Sequence, residues 1–504
     1  MTPPEWVQDA IFYQIFPDRF ARSDPAAVRQ GERMPNLGFE AWDAPPTHHG
    51  FKGGDLYGVV EKLDYLQDLG ITAIYFNPVF ASASNHRYHT YDYYNVDPLL
   101  GGNEALRLLL DEAHKRDIRV VLDGVFNHAS RGFWQFHHVL ENGADSPYVD
   151  WFHFDQERLK GNRRWGAYPA TGELHALKNG EGSLKALGYQ AWWDLPALPK
   201  LNTNTPAVRE FLFDVAEYWI RFGIDGWRLD VPGEIDDDAF WQEFHRRVKT
   251  INPEAYIVGE VWHEAERWLS GDQFDAVMNY LVTAAILSFC GGAHLDMNVV
   301  NQAGGLKDRV HPEMDANWFG NEIDRLTNLY SPEITRSQLN LFDSHDMPRF
   351  LTCVSNDVAS LQLAMLFMFT YPGAPCLFYG DEIGLAGAHD PDCRKGFPWD
   401  EAQWDRGLLD YLKAAIQLRK SHPLLRRGTF ERLWSADGVY AIRRALDTES
   451  VIVALNVSEY PRPLEVPRVA KRAAKVIFGS ASDLSAKDGR VRFTIPARSG
   501  VVVE

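Results

Sequence analysis

The stretch "DGWRLDVPGE", residues 225–234, places two opposite charges inside what otherwise looks like a buried β-strand. In a strand, residues i and i+2 share a face, so Arg228 and Asp230 point one way while Trp227 and Leu229 point the other. We expect the apolar pair to face covering helices. The charged pair would then face the interior of a closed sheet.

A buried ion pair that only fixes packing is the alternative interpretation of Arg228 and Asp230. Such pairs are poor stabilisers, because desolvation offsets most of the attraction between the charges. A nearby guanidinium also lowers the pKa of an aspartate and keeps it ionised, which is the state that a carboxylate nucleophile requires. The pair is therefore predicted to be functional.

Outward from this stretch, short β-branched and aromatic runs alternate with amphipathic segments up to about residue 420. One such segment, residues 206–222, has helical apolar spacing, with Pro206 at its start and Gly223 after its end. This alternation of strands and helices predicts an α/β fold, a (β/α)8 TIM barrel with its active site at the carboxyl ends of the strands. The eight candidate strands are "AIFYQIF", "ITAIYFNPV", "IRVVLDGVF", "DGWRLDV", "AYIVGEV", "FDAVMNY", "LNLFDSHD" and "APCLFYG".

Two segments interrupt the alternation. Residues 129–200 are too long for an ordinary loop after the third strand, so we expect a small inserted domain there, with a lid as the alternative. From residue 425 onward, short alternating runs predict a C-terminal all-β domain of the sandwich type over 425–504. The barrel would then comprise residues 1–128 and 201–424.

Charge and composition limit the partners of the chain. Its 504 residues carry a formal net charge of −18, which argues against binding nucleic acid or an anionic membrane through bulk electrostatics. A neutral partner is favoured. The aromatic fraction of 13% suits stacking on the apolar faces of sugars, although most of these rings are expected in the core.

The sequence also indicates a compartment. Its first twenty residues lack the basic segment and apolar run of a secretory signal. The longest apolar stretch, 361–380, is interrupted by Pro372, Gly373 and Pro375 and is too short on either side to span a bilayer. We therefore expect a cytoplasmic protein that does not enter a membrane. Neither disulfide nor zinc spacing relates its four cysteines, which are expected to be free thiols: Cys290, Cys353, Cys376 and Cys393.

Acidic residues end several of the predicted strands. Asp123, Glu260 and Asp346 each follow an apolar run, and His128 and His345 lie close to two of them. Any one acid could be a turn or helix cap. However, glycoside hydrolysis uses a pair of carboxyl groups that face each other across the active site. One attacks the anomeric carbon and the other protonates the leaving oxygen.

Four motifs, "DGVFNH", "GWRLD", "GEVW" and "DSHD", resemble in order and spacing the signatures of the α-amylase family of glycoside hydrolases. The likeness extends to "YQIFPDRF", "GGDLYG", "ALPKLN" and "GDEIGLAGAHDPDCRKGFPW", which are similar to the neopullulanase, cyclomaltodextrinase and maltodextrin glucosidase branch. It covers essentially the whole chain. The resemblance implies that Asp230 is the nucleophile, Glu260 the general acid/base, and Asp346 a third carboxylate that binds and distorts the sugar ring.

The resemblance also implies a set of substrate-binding residues. In it Tyr88 stacks under the sugar at the cleavage point, Asp123 orients Arg228, and Trp262 offers a stacking face on the acceptor side. Asp390 and Arg394 would contact the next sugar on the donor side. The alternative interpretation is that these two residues form a solvated ion pair. The full set is Tyr88, Asp123, His128, Arg228, Trp262, His345, Asp390 and Arg394.

The chain departs from the branch at several points. The usual N-terminal β domain is not expected, because the barrel pattern begins almost at once. Asn85 stands where strictly exo-acting relatives have an aspartate, which disfavours exo-only action, and Val231 to Glu234 replace the more common Ala-Asn-Glu ending. Gly233 and Glu234 also replace the Lys-His pair of calcium-binding amylases. No cofactor is expected to be required, structural calcium is not supported by the signatures, and the metal ligands, if any, stay unknown.

The resemblance implies a retaining α-glucan hydrolase that cleaves α-1,4 bonds and, as an open alternative, also α-1,6 bonds in maltooligosaccharides, cyclodextrins or pullulan, with some transglycosylation. Two alternatives remain. One is a non-catalytic scaffold, which the intact set Asp230, Glu260 and Asp346 disfavours. The other is a relative that transfers or isomerises glucosyl units. The sequence leaves the oligomeric state open.

Overall fold

The computed structural model describes residues 2–24, 38–160, 168–467 and 473–504. The strands within these ranges, in chain order, are β1 (Phe12–Ile15), β2 (Ala73–Phe76), β3 (Phe80–Ser82), β4 (Thr90–Val96), β5 (Arg119–Gly124), β6 (Gly226–Leu229), β7 (Tyr256–Gly259), β8 (Ala276–Val277), β9 (Leu339–Asn340), β10 (Ala374–Phe378), β11 (Thr429–Ala436), β12 (Val439–Leu446), β13 (Glu449–Asn456), β14 (Arg462–Pro467), β15 (Val476–Gly479), β16 (Ser482–Lys487), β17 (Arg490–Ile495) and β18 (Ser499–Val503).

The α-helices of the same ranges lie mainly between the barrel strands. They are α1 (Glu5–Asp9), α2 (Pro17–Phe20), α3 (Leu56–Glu61), α4 (Leu63–Leu69), α5 (Gly102–His114), α6 (Trp134–Asn142), α7 (Gln156–Lys160), α8 (Thr171–Lys178), α9 (Ser183–Leu187), α10 (Pro206–Phe222), α11 (Asp238–Ile251), α12 (Tyr280–Gly291), α13 (Met297–Val300), α14 (Ala316–Thr327), α15 (Pro332–Ser337), α16 (Phe350–Cys353), α17 (Val358–Thr370), α18 (Arg406–Ser421) and α19 (Leu424–Arg427).

Eight parallel strands form the central sheet, in the order β8-β7-β6-β5-β2-β1-β10-β9. A parallel bridge between Met278, directly after β8, and Leu339, in β9, joins the two ends of the sheet. The predicted eight-stranded barrel is therefore confirmed. The strands β8 and β9 are only two residues long, shorter than the apolar runs that predicted them. After Asn340 the chain leaves the sheet, and the loop that follows carries His345 and Asp346.

The helix α10 and the strand β6 have the orientation that their sequences predict. The helix ends at Phe222 and is followed by Gly223, whose φ of 113° lies in the left-handed region that favours glycine. On β6 the Trp227 indole nitrogen donates to the carbonyl of Ala216 on α10, at 3.4 Å, so this ring faces the helical layer. Arg228, its neighbour, points into the barrel.

Residues 129–200 lie beside the barrel mouth between β5 and α10, although 161–167 are outside the described residues. The segment contains the short helices α6 to α9 and is joined to the barrel chain by antiparallel bridges from His128 to Lys200 and from Phe152 to Leu201. A cluster of buried aromatic rings holds it together, formed by Phe133, Phe136, Phe152, Phe154 and Tyr189.

The C-terminal region is all-β, as predicted. A five-stranded sheet, β11-β12-β13-β18-β15, faces a three-stranded sheet, β14-β17-β16, across a separate apolar cluster that includes Ile452 and Phe493. The outer face of the larger sheet packs on the barrel helices, where the ring of Tyr440 lies 4.9 Å from that of Phe319 on α14. The exact division of the chain at residues 129, 200 and 425 remains our proposal.

Two further features concern the environment of the chain. In the described ranges, none of the helices is both long and apolar enough to cross a membrane. All four cysteines are buried and unpaired.

Candidate active site

Arg228 lies at the centre of a cluster of carboxyl groups at the carboxyl end of the barrel. Neighbouring strands place it directly beside Asp123, and Nη1 donates to both oxygens of that carboxylate, at 2.9 and 3.0 Å. The same nitrogen donates to Asp230 Oδ1 at 3.1 Å, and Nη2 lies 2.9 Å from Glu260 Oε2. One fully buried guanidinium thus contacts three carboxyl groups from three strand ends.

Glu260 follows β7 and, besides its ion pair with Arg228, accepts two hydrogen bonds. The backbone N–H of Val231 donates to Oε2 and the indole N–H of Trp262 donates to Oε1, both at 3.1 Å. Burial raises the pKa of Glu260, Arg228 opposes that shift, and the negative charge of Asp346 adds to it. The carboxyl group is therefore shifted towards the protonated state that a general acid needs.

Asp230 differs from the expectation drawn from its sequence. Burial raises the pKa of Asp230 well above its ordinary value; Arg228 lowers it, and the charges of Glu260 and Asp123 raise it further. The expected effect of the guanidinium is present, but the predicted net lowering of the pKa is wrong, because desolvation outweighs one ion pair that Asp230 shares with two other carboxyls. The second oxygen, Oδ2, is buried and has no hydrogen-bond partner among the described residues.

His345 is held by a residue that the sequence analysis missed. The amide Nε2 of Gln14, on β1, donates to His345 Nδ1 at 2.9 Å, which leaves the imidazole proton on Nε2. Burial, with Arg394 nearby, keeps the pKa of His345 well below its usual range, so the ring is neutral. Its Nε2 lies 2.7 Å from the Tyr88 hydroxyl and 3.1 Å from Asp346 Oδ2. Gln14 was detectable as the one amide in an otherwise apolar and aromatic strand.

Tyr88 connects His345 to Asp123. Its hydroxyl donates to Asp123 Oδ2 at 2.8 Å, and its ring lies parallel to the imidazole of His345, with 5.5 Å between centroids. Tyr75, a second residue that the sequence analysis missed, also donates to Asp123 Oδ2, at 2.9 Å. Burial raises the pKa of Asp123 to about 6, against the opposing effect of Arg228.

His128 forms the wall of the site next to the inserted segment. Its ring stacks on Trp192 of that segment, with 4.9 Å between centroids and 9° between planes. Burial lowers the pKa of His128 to about 3, so the imidazole is neutral. Its buried Nε2 has no hydrogen-bond partner in the part of the chain that the structure describes, which leaves this atom for a ligand.

Trp262 does not offer the stacking face that was expected of it. The indole lies parallel to the ring of Tyr280, with 3.6 Å between centroids. A Cβ placed on Gly305 would lie 2.3 Å from Trp262 Cε3 and 2.7 and 2.8 Å from its two ring neighbours, a geometry that puts Gly305 over the opposite face. Both faces are covered, so the prediction of an open platform is wrong. Trp262 instead donates to Glu260.

Arg394 pairs with both Asp390 and Asp346. Arg394 Nη2 is 3.3 Å from Asp346 Oδ1, and Nη1 is 3.2 Å from Asp390 Oδ1. Arg394 Nε also donates to the carbonyl of His345 at 2.8 Å, and the arginine side chain is largely buried. These contacts fix the arginine in one orientation, unlike a solvated surface pair.

Backbone strain follows directly after Asp230. Val231 has φ 36° and ψ 51°, the left-handed region, which is unfavourable for a β-branched residue and unusual before a proline. This conformation accompanies the hydrogen bond from its N–H to Glu260, and such strain tends to persist at functional sites.

Glu234 is one of the two residues that replace the Lys-His pair of calcium-binding amylases. Its backbone carbonyl accepts a hydrogen bond from Lys200 Nζ. Among the residues described, no group of three or more histidine, cysteine, aspartate or glutamate side chains is arranged so that it could hold a metal ion.

The comparisons with known proteins agree with this geometry. Residues 14–428 match the family model described as the catalytic domain of α-amylase. Neopullulanase 2 of Thermoactinomyces vulgaris is 40% identical over 509 residues, covering 100% of this chain and 78% of that protein. A cyclomaltodextrinase of a Bacillus species is 43% identical over 458 residues, covering 90% and 74%. The structure of a debranching enzyme from Nostoc punctiforme superposes with a TM-score of 0.88 at 44% identity, covering 100% and 99%.

Replacing Arg228 by methionine should destabilise the protein in a pH-dependent way. Without the cation, Asp123, Asp230 and Glu260 are left buried and unpaired, which costs about 3–5 kcal/mol of unfolding free energy when they are ionised. Burial already raises the pKa values of these carboxyls, and loss of the cation would raise them further, so they take up protons more readily as the pH falls and the loss is smaller at pH 5 than at pH 8. Denaturant unfolding at both pH values measures this.

The matched control for this prediction is Arg246→Met, at an exposed arginine on α11 that pairs with Glu243. Exposed pairs contribute little, so its unfolding should change little at either pH. Equal destabilisation by Arg228→Met at pH 5 and pH 8 would contradict the assignment of Arg228 as the counter-charge of the carboxyl cluster.

Proposed function

The chain belongs to the α-amylase family of glycoside hydrolases, and from that membership we propose that it is a retaining α-glucan hydrolase. Its nucleophile is Asp230, its general acid/base is Glu260, and Asp346 is the third carboxylate of the site. The proposal rests most heavily on one observation. Asp230 and Glu260 come from adjacent strand ends and bind the two terminal nitrogens of the same buried guanidinium.

In the first step, Asp230 attacks the anomeric carbon as the glycosidic bond breaks, and the Glu260 proton passes to the leaving oxygen. A covalent ester to Asp230 forms, and a shorter glucan departs. The Oδ2 atom of Asp230 suits this attack, because it has no hydrogen-bond partner among the residues that the structure describes. Positive charge that develops at the anomeric carbon favours the ionised form of Asp230. The leaving oxygen of the substrate, beside Glu260, favours the protonated form of Glu260.

In the second step, ionised Glu260 takes a proton from water, whose oxygen attacks the anomeric carbon and breaks the ester to Asp230. Two inversions give net retention. A sugar hydroxyl in place of water gives transglycosylation by the same route. Arg228 stays charged throughout and keeps Asp230 in position, while the two hydrogen bonds from Val231 and Trp262 hold Glu260.

A neutral oligosaccharide is the proposed substrate. His128 and His345 are neutral, and the His128 Nε2 has no hydrogen-bond partner among the described residues, which suits a hydroxyl group better than a charged ligand. The acidic net charge supports the same class and disfavours nucleic acid. We propose short maltooligosaccharides and cyclodextrins over long starch chains, because Trp192 of the inserted segment stacks on His128 and Asp390 pairs with Arg394 beside Asp346, contacts that suit a short cleft. The α-1,6 linkage is included because one of the similar structures is a debranching enzyme.

We propose the cytoplasm as the location. Four buried cysteines remain unpaired, as is usual where thiols are kept reduced. No cofactor is part of the proposed reaction.

The anomeric form of the first product tests the proposal. Maltotetraose hydrolysed in an NMR tube should release sugar with the α configuration in the first minutes, before mutarotation. Glu260→Gln should lower kcat by about 10²- to 10⁴-fold, because the general acid is lost, and Asp230→Asn by at least as much. Asp111→Asn, at an exposed acid on α5, is the control and should be fully active. Initial β product would rule out the double displacement.

Trp262→Phe should move the alkaline limb of the pH profile of kcat/KM to higher pH. The indole N–H favours ionised Glu260, so its removal raises the pKa of Glu260 and lets the acid keep its proton further into the alkaline range. Trp434→Phe, at a half-exposed tryptophan on β11, should leave the limb in place. An unchanged or acid-shifted limb in Trp262→Phe would contradict the role given to its hydrogen bond.

A further inference from the structure

Asn85 does not point at the carboxyl cluster, although it precedes Tyr88 by three residues. Its side chain is buried, and Nδ2 donates to the carbonyls of Gly50 and His48, at 2.8 and 3.0 Å. The carbonyl of Thr47 lies 3.5 Å from the same nitrogen. Three carbonyl oxygens around one atom identify it as the amide nitrogen, because an oxygen there could donate to none of them. Asn85 therefore fastens residues 47–50, here called the 47–50 loop.

The 47–50 loop has further supports. Arg19 Nη2 donates to the carbonyl of Gly50 at 2.9 Å, and the Gly50 N–H donates to Thr47 Oγ1 at 2.9 Å. The Thr47 hydroxyl also contacts Glu40. Asn85, Arg19 and Glu40 thus hold the loop in one conformation, and Asn85 supplies two of the hydrogen bonds.

His48 extends from this loop towards the donor side of the cleft. Its Nδ1 lies 3.8 Å from Asp390 Oδ2, and most of the imidazole is exposed. Asp390 in turn pairs with Arg394, which pairs with Asp346. A continuous series of polar contacts therefore runs from Asp346 through Arg394 and Asp390 to His48, which is its outermost member.

We propose that His48, on the 47–50 loop that Asn85 fastens, closes the outer end of the donor side and binds the sugar next to the one being cleaved. The inference rests on the proposed function and adds two residues to it. His48 is a specificity-determining residue, because its ring nitrogens can bind a sugar hydroxyl together with Asp390. Asn85 is a positioning residue that acts only through the loop.

The chemistry of Asn85 explains why an aspartate would not serve at this position. A carboxylate has the same shape but no N–H at neutral pH, so it would place negative oxygens against the carbonyls of His48 and Gly50. Two hydrogen bonds would become repulsive contacts, and the loop would move away from Asp390. The amide at residue 85 is thus tied to a donor side that extends beyond one sugar.

Two chromogenic substrates separate this role from catalysis. 4-Nitrophenyl α-glucoside fills only the first donor position, whereas 4-nitrophenyl α-maltoside fills the first and second. For His48→Ala we expect kcat/KM on the maltoside to fall about 3- to 10-fold, the effect of losing one hydrogen bond. On the glucoside it should change by less than about twofold. Asn85→Asp should lower the maltoside-to-glucoside ratio in the same direction.

His49→Ala is the matched control, since His49 is an exposed histidine on the same loop and should leave the ratio unchanged. Should Asn85→Asp fold poorly, His48→Ala alone decides the matter. An active wild-type enzyme whose ratio is the same in His48→Ala would overturn the inference and leave the proposed function standing. Wild-type protein inactive on both substrates and on maltooligosaccharides would instead contradict the proposed function.

Discussion

The buried positive charge of Arg228 is the constraint on which the site depends. Removing a charge from water costs several kcal/mol, and the attraction of its partners offsets that cost only when the geometry is good. Here the barrel register sets Asp123 beside Arg228, and the ends of β6 and β7 bring Asp230 and Glu260 to the same guanidinium. The strands must therefore pair in this register for the carboxyl cluster to be tolerated. A shift of one residue would turn Arg228 towards the helices.

A chain of hydrogen bonds transmits this order across the barrel mouth. Gln14 sets the tautomer of His345, whose Nε2–H is directed at the Tyr88 hydroxyl, and Tyr88 donates to Asp123, which binds Arg228. Each member comes from a different strand or loop. Because these hydrogen bonds are contiguous, a change at Gln14 would be felt at the carboxyl cluster although the two do not touch.

The eight strands, the C-terminal sheets and the convergence of Asp123, Arg228, Asp230, Glu260 and Asp346 were predictable from the sequence, since period and strand-end position are local properties. What was missed depends on remote contacts. The faces of Trp262 are covered by Tyr280 and Gly305, which no spacing around residue 262 reveals. The raised pKa of Asp230 follows from its burial, which outweighs the lowering by Arg228 that the sequence suggested. Asn85 was recognised in the sequence as a departure from the aspartate of strictly exo-acting relatives. Its hydrogen bonds to the 47–50 loop, which explain the amide, are visible only in the structure.

Chemical rescue tests the central assignment most directly. With α-glucosyl fluoride, which needs no acid, Glu260→Ala should form the ester on Asp230, and azide should then release α-glucosyl azide. Asp230→Ala cannot form that ester, so any azide product it gives should be the β anomer. NMR of the azide products distinguishes the two. Formation of α-glucosyl azide by Asp230→Ala, or its absence from Glu260→Ala, would contradict the roles given to these two carboxyl groups.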